Sequence, residues 1–96
     1  MTLDIDTSNS EKVTVVLDDK KIVADARVEK SQKLLSVIDK ELNARGKSLK
    51  DIKEIKVHIG PGSFTGLRVG TAVANTLGWA LGIPVNGKNN LVEPRY

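Results

Sequence analysis

At 96 residues, with 40% hydrophobic and 28% charged side chains, the sequence has the size and balance of one ordinary globular domain. It has no cysteine and one histidine, which excludes a disulfide framework, a thiolate zinc site, a cysteine nucleophile and a paired-histidine metal site. The net charge of +3 is spread over scattered lysines, and only Phe64, Trp79 and Tyr96 are aromatic, so the clustered basic and stacking residues of a nucleic-acid groove are missing.

Residues 2–6, TLDID, alternate with Leu3 and Ile5 on one face. Residues 12–17 put Val13, Val15 and Leu17 on one side, and residues 21–28 do the same with Ile22, Ala24, Ala26 and Val28. This period of two reads as three strands, with the polar run Asp18 to Lys21 short enough for a hairpin. The period then lengthens. Leu34, Leu35, Ile38 and Leu42 recur at helical spacing behind an expected N-cap at Ser31, and Gly46 closes the segment. Residues 55–59 return to alternation, GPGS at 60–63 breaks the strand, and Phe64 to Gly82 reads as a second helix. Pro84 and Val85 begin a short fifth strand, giving the order β-β-β-α-β-α-β in residues 1–88 and leaving 89–96 as a tail. Each main strand has a polar face, carrying Asp4 and Asp6, Thr14, Asp25, Lys56 and His58. A sheet covered on both sides would instead show continuous apolar runs. The expectation is therefore an α/β, two-layer domain: a mixed five-stranded sheet with both helices on one face. No leader pattern or bilayer-length apolar run interrupts this, so a soluble, cytoplasmic protein with no membrane contact is expected.

The most distinctive stretch is GPGSFTGLRVG, Gly60 to Gly70, at the turn from strand to helix. Such a turn can present backbone N–H groups to an anion. It is not a P-loop, since no Gly-Lys-Ser/Thr follows, and Thr65 stands where a dinucleotide fingerprint would have its third glycine. A strand ending in Asp-Thr-Ser, as at Asp6, Thr7 and Ser8, meets phosphate in sugar kinases and actin-like proteins. Asp6, Thr7, Ser8, Gly60, Gly62 and Ser63 are thus candidate phosphate-loop residues. A turn whose hydroxyls satisfy their own backbone accounts for the same residues and is preferred.

Gly62, Gly66, Gly70, Ala74, Gly78 and Gly82 recur every four residues. A glycine inside a helix costs up to ~1 kcal/mol relative to alanine, so something must pack closely against this helix. Arg68 is its one charge. A helical wheel puts Val69, Val73, Leu77, Ala80 and Leu81 toward the core, and Arg68, Thr71, Ala72, Asn75, Thr76 and Trp79 opposite. An uncharged outer face fits contact with the first helix of the chain or with a partner protein, and both readings stand. His58 reads as a solvated imidazole near Asp4 or Asp6. No nucleophile–base pair supports a peptidase.

Together, IDTS, the Ser-Gln helix opening, SLKDI, GPGSFTGLRVG and LGWALGIPV resemble the TsaB (YeaZ) family over residues 2 to about 88, corresponding to that family's N-terminal domain. Lys30 and Asp4 depart from its usual histidine and small apolar residue. The resemblance implies half of an actin-like ATPase (ribonuclease H-like) fold, no catalytic residues and no cofactor. It implies a scaffold role beside a TsaD-like catalytic subunit, with a TsaE-like ATPase as a further partner, in threonylcarbamoyl transfer to adenosine 37 of tRNA, which the chain would meet only indirectly. It also implies pairing through the two helices, with a homodimer or with the TsaD-like subunit. On this sequence the pairing surface maps to Leu34, Leu35, Ile38, Leu42, Arg68, Ala72, Asn75, Thr76 and Trp79. A homodimeric half-domain without a tRNA role and a degenerate nucleotide-binding protein are the alternatives.

Overall fold

The computed structural model describes residues 1–95; Tyr96, the last residue of the expected tail, lies outside the described residues. Three strands open the chain: β1 (Thr2–Asp6), β2 (Lys12–Leu17) and β3 (Lys20–Asp25). They are followed by α1 (Lys30–Ala44), a 3-10 turn (Leu49–Asp51), β4 (Glu54–Val57) and α2 (Phe64–Leu81). The strands lie in the order β3-β2-β1-β4. β1 runs antiparallel to β2 and parallel to β4, so the sheet is mixed, as expected.

Alternation along the strands divides the two faces. Leu3, Ile5, Val13, Val15, Leu17, Ile55 and Val57 are buried in one cluster with Leu34, Val37, Ile38 and Leu42 of α1 and Ala74 of α2. The intervening Thr2, Asp4, Asp6, Thr14 and Val16 are only half-buried and Lys56 is exposed. Both helices therefore cover the same face, and the domain has two layers. The third strand is shorter than its alternation suggested: pairing stops at Asp25, Ala26 is buried beyond it, and Val28 is exposed.

The expected fifth strand is a correction. Val85 makes one parallel bridge to Ile55, with Ile55 N–H donating to the Pro84 carbonyl and Asn86 N–H to the Ile55 carbonyl. Asn86 and Gly87 then both take positive φ, 52° and 74°, and Val85 and Lys88 exchange backbone hydrogen bonds at 2.9 and 3.0 Å. This is a tight two-residue reversal, for which Asn-Gly is the strongest short signal. The chain turns back before a strand can extend. Instead, the Asn86 amide closes the edge of β4: its Nδ2 donates to the Val57 carbonyl at 3.0 Å and its Oδ1 accepts from Val57 N–H at 2.8 Å. A side chain thus supplies the bonds that a neighbouring strand would have made.

Helix α1 also starts earlier than expected. Its cap position is Glu29, in the left-handed region, with no side-chain cap, and Ser31 sits inside the first turn. Its far end closes as the sequence suggested. Gly46 has φ 65°, and Gly46 and Lys47 N–H groups donate to the Asn43 and Leu42 carbonyls, the paired bonds of a Schellman ending.

That end is tied to the β2–β3 hairpin by charge. Glu41 Oε1 lies 3.3 Å from both Lys20 Nζ and Arg45 Nε, and Arg45 Nη2 donates to the Leu17 carbonyl at 2.9 Å. Burial works against the Glu41 charge, but the hydrogen bonds and charges of Arg45 and Lys20 outweigh it and hold the carboxyl below its ordinary value of 4.5. A group whose folded value is lowered contributes stability fully above its unfolded value and loses it as pH falls through the folded one. Acid titration followed by circular dichroism should therefore show a Glu41→Gln variant that is less stable than wild type at neutral pH, the gap closing as pH falls below the ordinary carboxyl value and through the lowered one.

Candidate partner surface on the second helix and the junction behind it

The inner side of α2 is made of small residues because it presses on the end of β1. Gly66, Leu67, Gly70, Thr71, Ala74 and Gly78 are its buried positions. A Cβ at Gly66 would overlap the Thr7 carbonyl oxygen, and one at Gly70 would overlap the Thr7 hydroxyl. Farther along, a Cβ at Gly78 would lie 2.5 Å from Val85 Cγ2. Thr7 is fully buried, and its Oγ1 donates to the Gly66 carbonyl at 2.5 Å. At Gly66, Gly70 and Gly78 the small-residue ridge is thus filled by the chain's own strand and by Val85, while Gly82 faces open space. Neither the first helix nor a partner backbone accounts for it.

This rotates the helix relative to the helical wheel. Val69, Val73, Leu77 and Leu81, expected in the core, flank the ridge and are half-buried, and Ala80 is exposed. Thr71, expected on the outer face, is buried and donates to the Leu67 carbonyl at 2.9 Å. The physical reason is distance: glycines bring the helix axis so close to β1 that large side chains fit only beside the contact line.

The candidate phosphate loop is engaged in the same junction. Asp6 Oδ1 accepts from Ser8 N–H at 2.9 Å and from Ser8 Oγ at 2.6 Å. Ser63 N–H donates to the Ser8 carbonyl at 2.8 Å, and Ser63 Oγ caps α2 by accepting from Gly66 N–H at 3.2 Å. A Cβ at Gly62 would meet the Ser8 Cβ at 2.5 Å. Gly60 lies against the Arg95 backbone. These residues do come together: Ser8 donates to Asp6 and Ser63 to Ser8, while Thr7 donates to Gly66. Partial burial opposes the Asp6 charge, yet the two Ser8 hydrogen bonds, with His58 and Lys21 nearby, keep its carboxyl below the ordinary value. At Asp4 burial dominates, helped by the Asp6 charge, and raises the carboxyl against the pull of Lys56 and His58. The His58 ring is near both carboxylates, with Nε2 3.1 Å from the Pro61 carbonyl. Among the described residues no group of three or more His, Cys, Asp or Glu side chains could hold a metal ion, and no helix is long and apolar enough to cross a membrane.

Of the nine residues placed on the pairing surface, three must be removed. Leu34, Ile38 and Leu42 are buried in the chain's own core, since their spacing of four points them all at the sheet. Leu35, Arg68, Ala72, Thr76 and Trp79 are exposed, Trp79 at 85%. Arg68 lies over the Phe64 ring, 5.4 Å from its centroid, and Ser31 of α1 lines one shallow groove with Phe64, Arg68, Ala72 and Val73. Asn75 is already in use. Its Nδ2 donates to the Val92 carbonyl at 2.8 Å and its Oδ1 accepts from Val92 N–H at 3.0 Å. The stretch expected to be a tail is therefore, over its described residues, laid against α2 with Val92 buried.

A family model described as TsaD, tRNA N6-adenosine threonylcarbamoyltransferase, matches residues 24–92. The chain belongs to this family. Within it, the chain is TsaB-like. It is 32% identical over 93 residues, 93% of its length, to the tRNA threonylcarbamoyladenosine biosynthesis protein TsaB of Bacillus subtilis, of which it covers 41%. It is 36% identical over 64 residues to the TsaB protein of Escherichia coli, covering 67% of this chain and 28% of that one. Among solved structures, YeaZ from Pseudomonas aeruginosa superposes with a TM-score of 0.73 at 29% identity, over 88% of this chain and 41% of that one. The chain thus spans about two fifths or less of these relatives.

The junction makes a sharp stability prediction. In an open helix Gly→Ala is stabilising by up to ~1 kcal/mol, but Gly70→Ala should destabilise by about 1–3 kcal/mol through its overlap with Thr7. In a Thr7→Ala background most of that penalty should vanish, a non-additivity that urea denaturation of the four proteins in the cycle measures.

Proposed function

We propose that this TsaB-like chain is a non-catalytic partner subunit that supports a TsaD-like enzyme in threonylcarbamoyl transfer to adenosine 37 of tRNA. Its family and its named relatives support the pathway. The observation that carries the partner role is the outer face of α2, where Arg68, Ala72, Thr76 and Trp79 are exposed with a single charge among them. An isolated exposed apolar residue needs no explanation. A tryptophan at 85% exposure on a helical face whose only charge is Arg68 is different, because tryptophan and arginine are the residues that most often anchor interfaces. Leu35, one turn beyond Ser31 on α1, is exposed as well. The inner side of the helix is already filled by Thr7 and Val85, so the outer side is what remains for another molecule.

The chemistry of the modification would reside in the TsaD-like partner. A TsaE-like ATPase is a further member of such an assembly, and tRNA contact is indirect. A second reading, a homodimer through the same helices, uses the same residues. The engagement of Asp6 with Ser8, and of Thr7 and Ser63 with Gly66, favours the packing turn over a nucleotide site.

Trp79→Ala should leave stability within about 0.5 kcal/mol of wild type, because the side chain is exposed. It should weaken binding to the TsaD-like protein of the same cell by about thirtyfold, the equivalent of a hot-spot loss of ~2 kcal/mol. Ala72→Asp, which would bury an unpaired charge, should weaken it at least as much. Calorimetric titration with circular dichroism as the folding control distinguishes the readings: unchanged binding by both folded variants would remove this face from the interface, and self-association lost without any TsaD-like binding would favour the homodimer.

A further inference from the structure

Residues 89–95 have no regular structure, and their attachment is slight. After the Asn86–Gly87 reversal they run back over α2. Of them only Val92 is buried, at 8% exposure, while Leu91 beside it is 76% exposed. The Val92 backbone is held in the fork of the Asn75 amide at 2.8 and 3.0 Å, and Arg95 N–H donates to the Ile59 carbonyl. Leu91 and Val92, with Glu93 and Pro94, face Arg68, Thr71 and Ala72 across one shallow groove. On the other side, an open groove of about 530 Å³ separates Leu91 from Trp79, Gly82 and Ile83. The segment therefore covers Asn75, sits beside Arg68 and Ala72, and leaves Trp79 open.

We propose that residues 89–95 are a releasable strap that competes with the partner for the outer face of α2. The proposal rests on the reading of that face as the partner surface. A strap fastened by one apolar side chain, one amide fork and one backbone hydrogen bond at Arg95 belongs to the low-stability end of a fold, where local opening occurs without global unfolding. While it is closed, Asn75 is unavailable and the approach to Ala72 is narrowed. A partner must then bind the fraction of molecules in which the strap is open, and its apparent affinity is reduced by that fraction. The exposed Trp79 is the site of first contact, and displacement of Val92 completes docking.

The test uses the 96-residue wild-type chain, Val92→Ala and Val92→Ser, none of which alters α2, with Trp79→Ala as the control for the surface. Amide hydrogen exchange is read at residues 89–95, and affinity is read against the TsaD-like protein of the same cell. Both Val92 variants should exchange faster at 89–95 with sheet amides unchanged. Their affinity should rise, more for serine than for alanine and by about tenfold for serine. Faster exchange with unchanged affinity, while Trp79→Ala still loses binding, would overturn the strap and leave the surface standing. Reduced affinity in the Val92 variants would also overturn it, by making the segment part of the interface. Absence of binding in every form, with strap exchange demonstrably accelerated, would overturn both.

Discussion

The close approach of α2 to Thr7 is the constraint from which most of the molecule follows. At the end of β1 a buried threonine places its carbonyl oxygen and its hydroxyl where Gly66 and Gly70 have no side chain. That contact brings the helix down on the sheet and fixes its rotation. Gly66, Leu67, Gly70, Ala74 and Gly78 then face inward, Val69, Val73, Leu77 and Leu81 fall to the flanks, and Arg68, Ala72, Thr76 and Trp79 are left outward. The glycines weaken the helix in isolation, so its stability comes from this packing and from its caps. Ser63 closes one end of the helix and Gly82, in the left-handed region, the other.

The same junction explains why a motif that looks like an anion loop behaves as a hinge pin. Asp6, Ser8 and Ser63 spend their donors and acceptors on each other, and the Ser8 carbonyl holds the loop before α2 through Ser63 N–H. The strand end and the helix start are locked into one unit. On the opposite side of the sheet Asp4, Asp6, Lys56 and His58 form a polar, partly open face. The two layers thus present different surfaces: one charged and hydrated, the other a helical face with little charge.

Much of this was legible in the residues. Alternation placed β1, β2 and β4 within a residue or two and identified the buried set Leu3, Ile5, Val13, Val15 and Leu17. The spacing of Leu34, Ile38 and Leu42 gave α1 and its register. GPGSFTGLR carried the family. What failed did so for identifiable reasons. A helical wheel assumes that the largest apolar side chains face inward; on α2 Val73, Leu77 and Leu81 do pack against the core but stay half-buried, because the close approach to β1 selects for the absence of a side chain on the contact line. In sequence Leu34, Ile38 and Leu42 fit a partner surface as well as a helix stripe, but a stripe this apolar is needed by the domain itself. The fifth strand was extrapolated from Pro84 and Val85, while the Asn86–Gly87 pair just beyond them was the signal for reversal. Asn75 and Val92 were not legible as a pair, since a side-chain fork around a distant backbone leaves no periodic trace.

The central claim is that the outer face of α2 meets a TsaD-like protein. It is tested most directly by amide and indole chemical-shift mapping of the nitrogen-labelled chain as that protein is titrated in. The account predicts that the Trp79 indole, Thr76, Ala72 and Arg68, with Leu35 on α1, shift or broaden first and most. Perturbations centred instead on Asp4, Lys56 and His58, with the Trp79 indole unmoved, would place the partner on the sheet and contradict it.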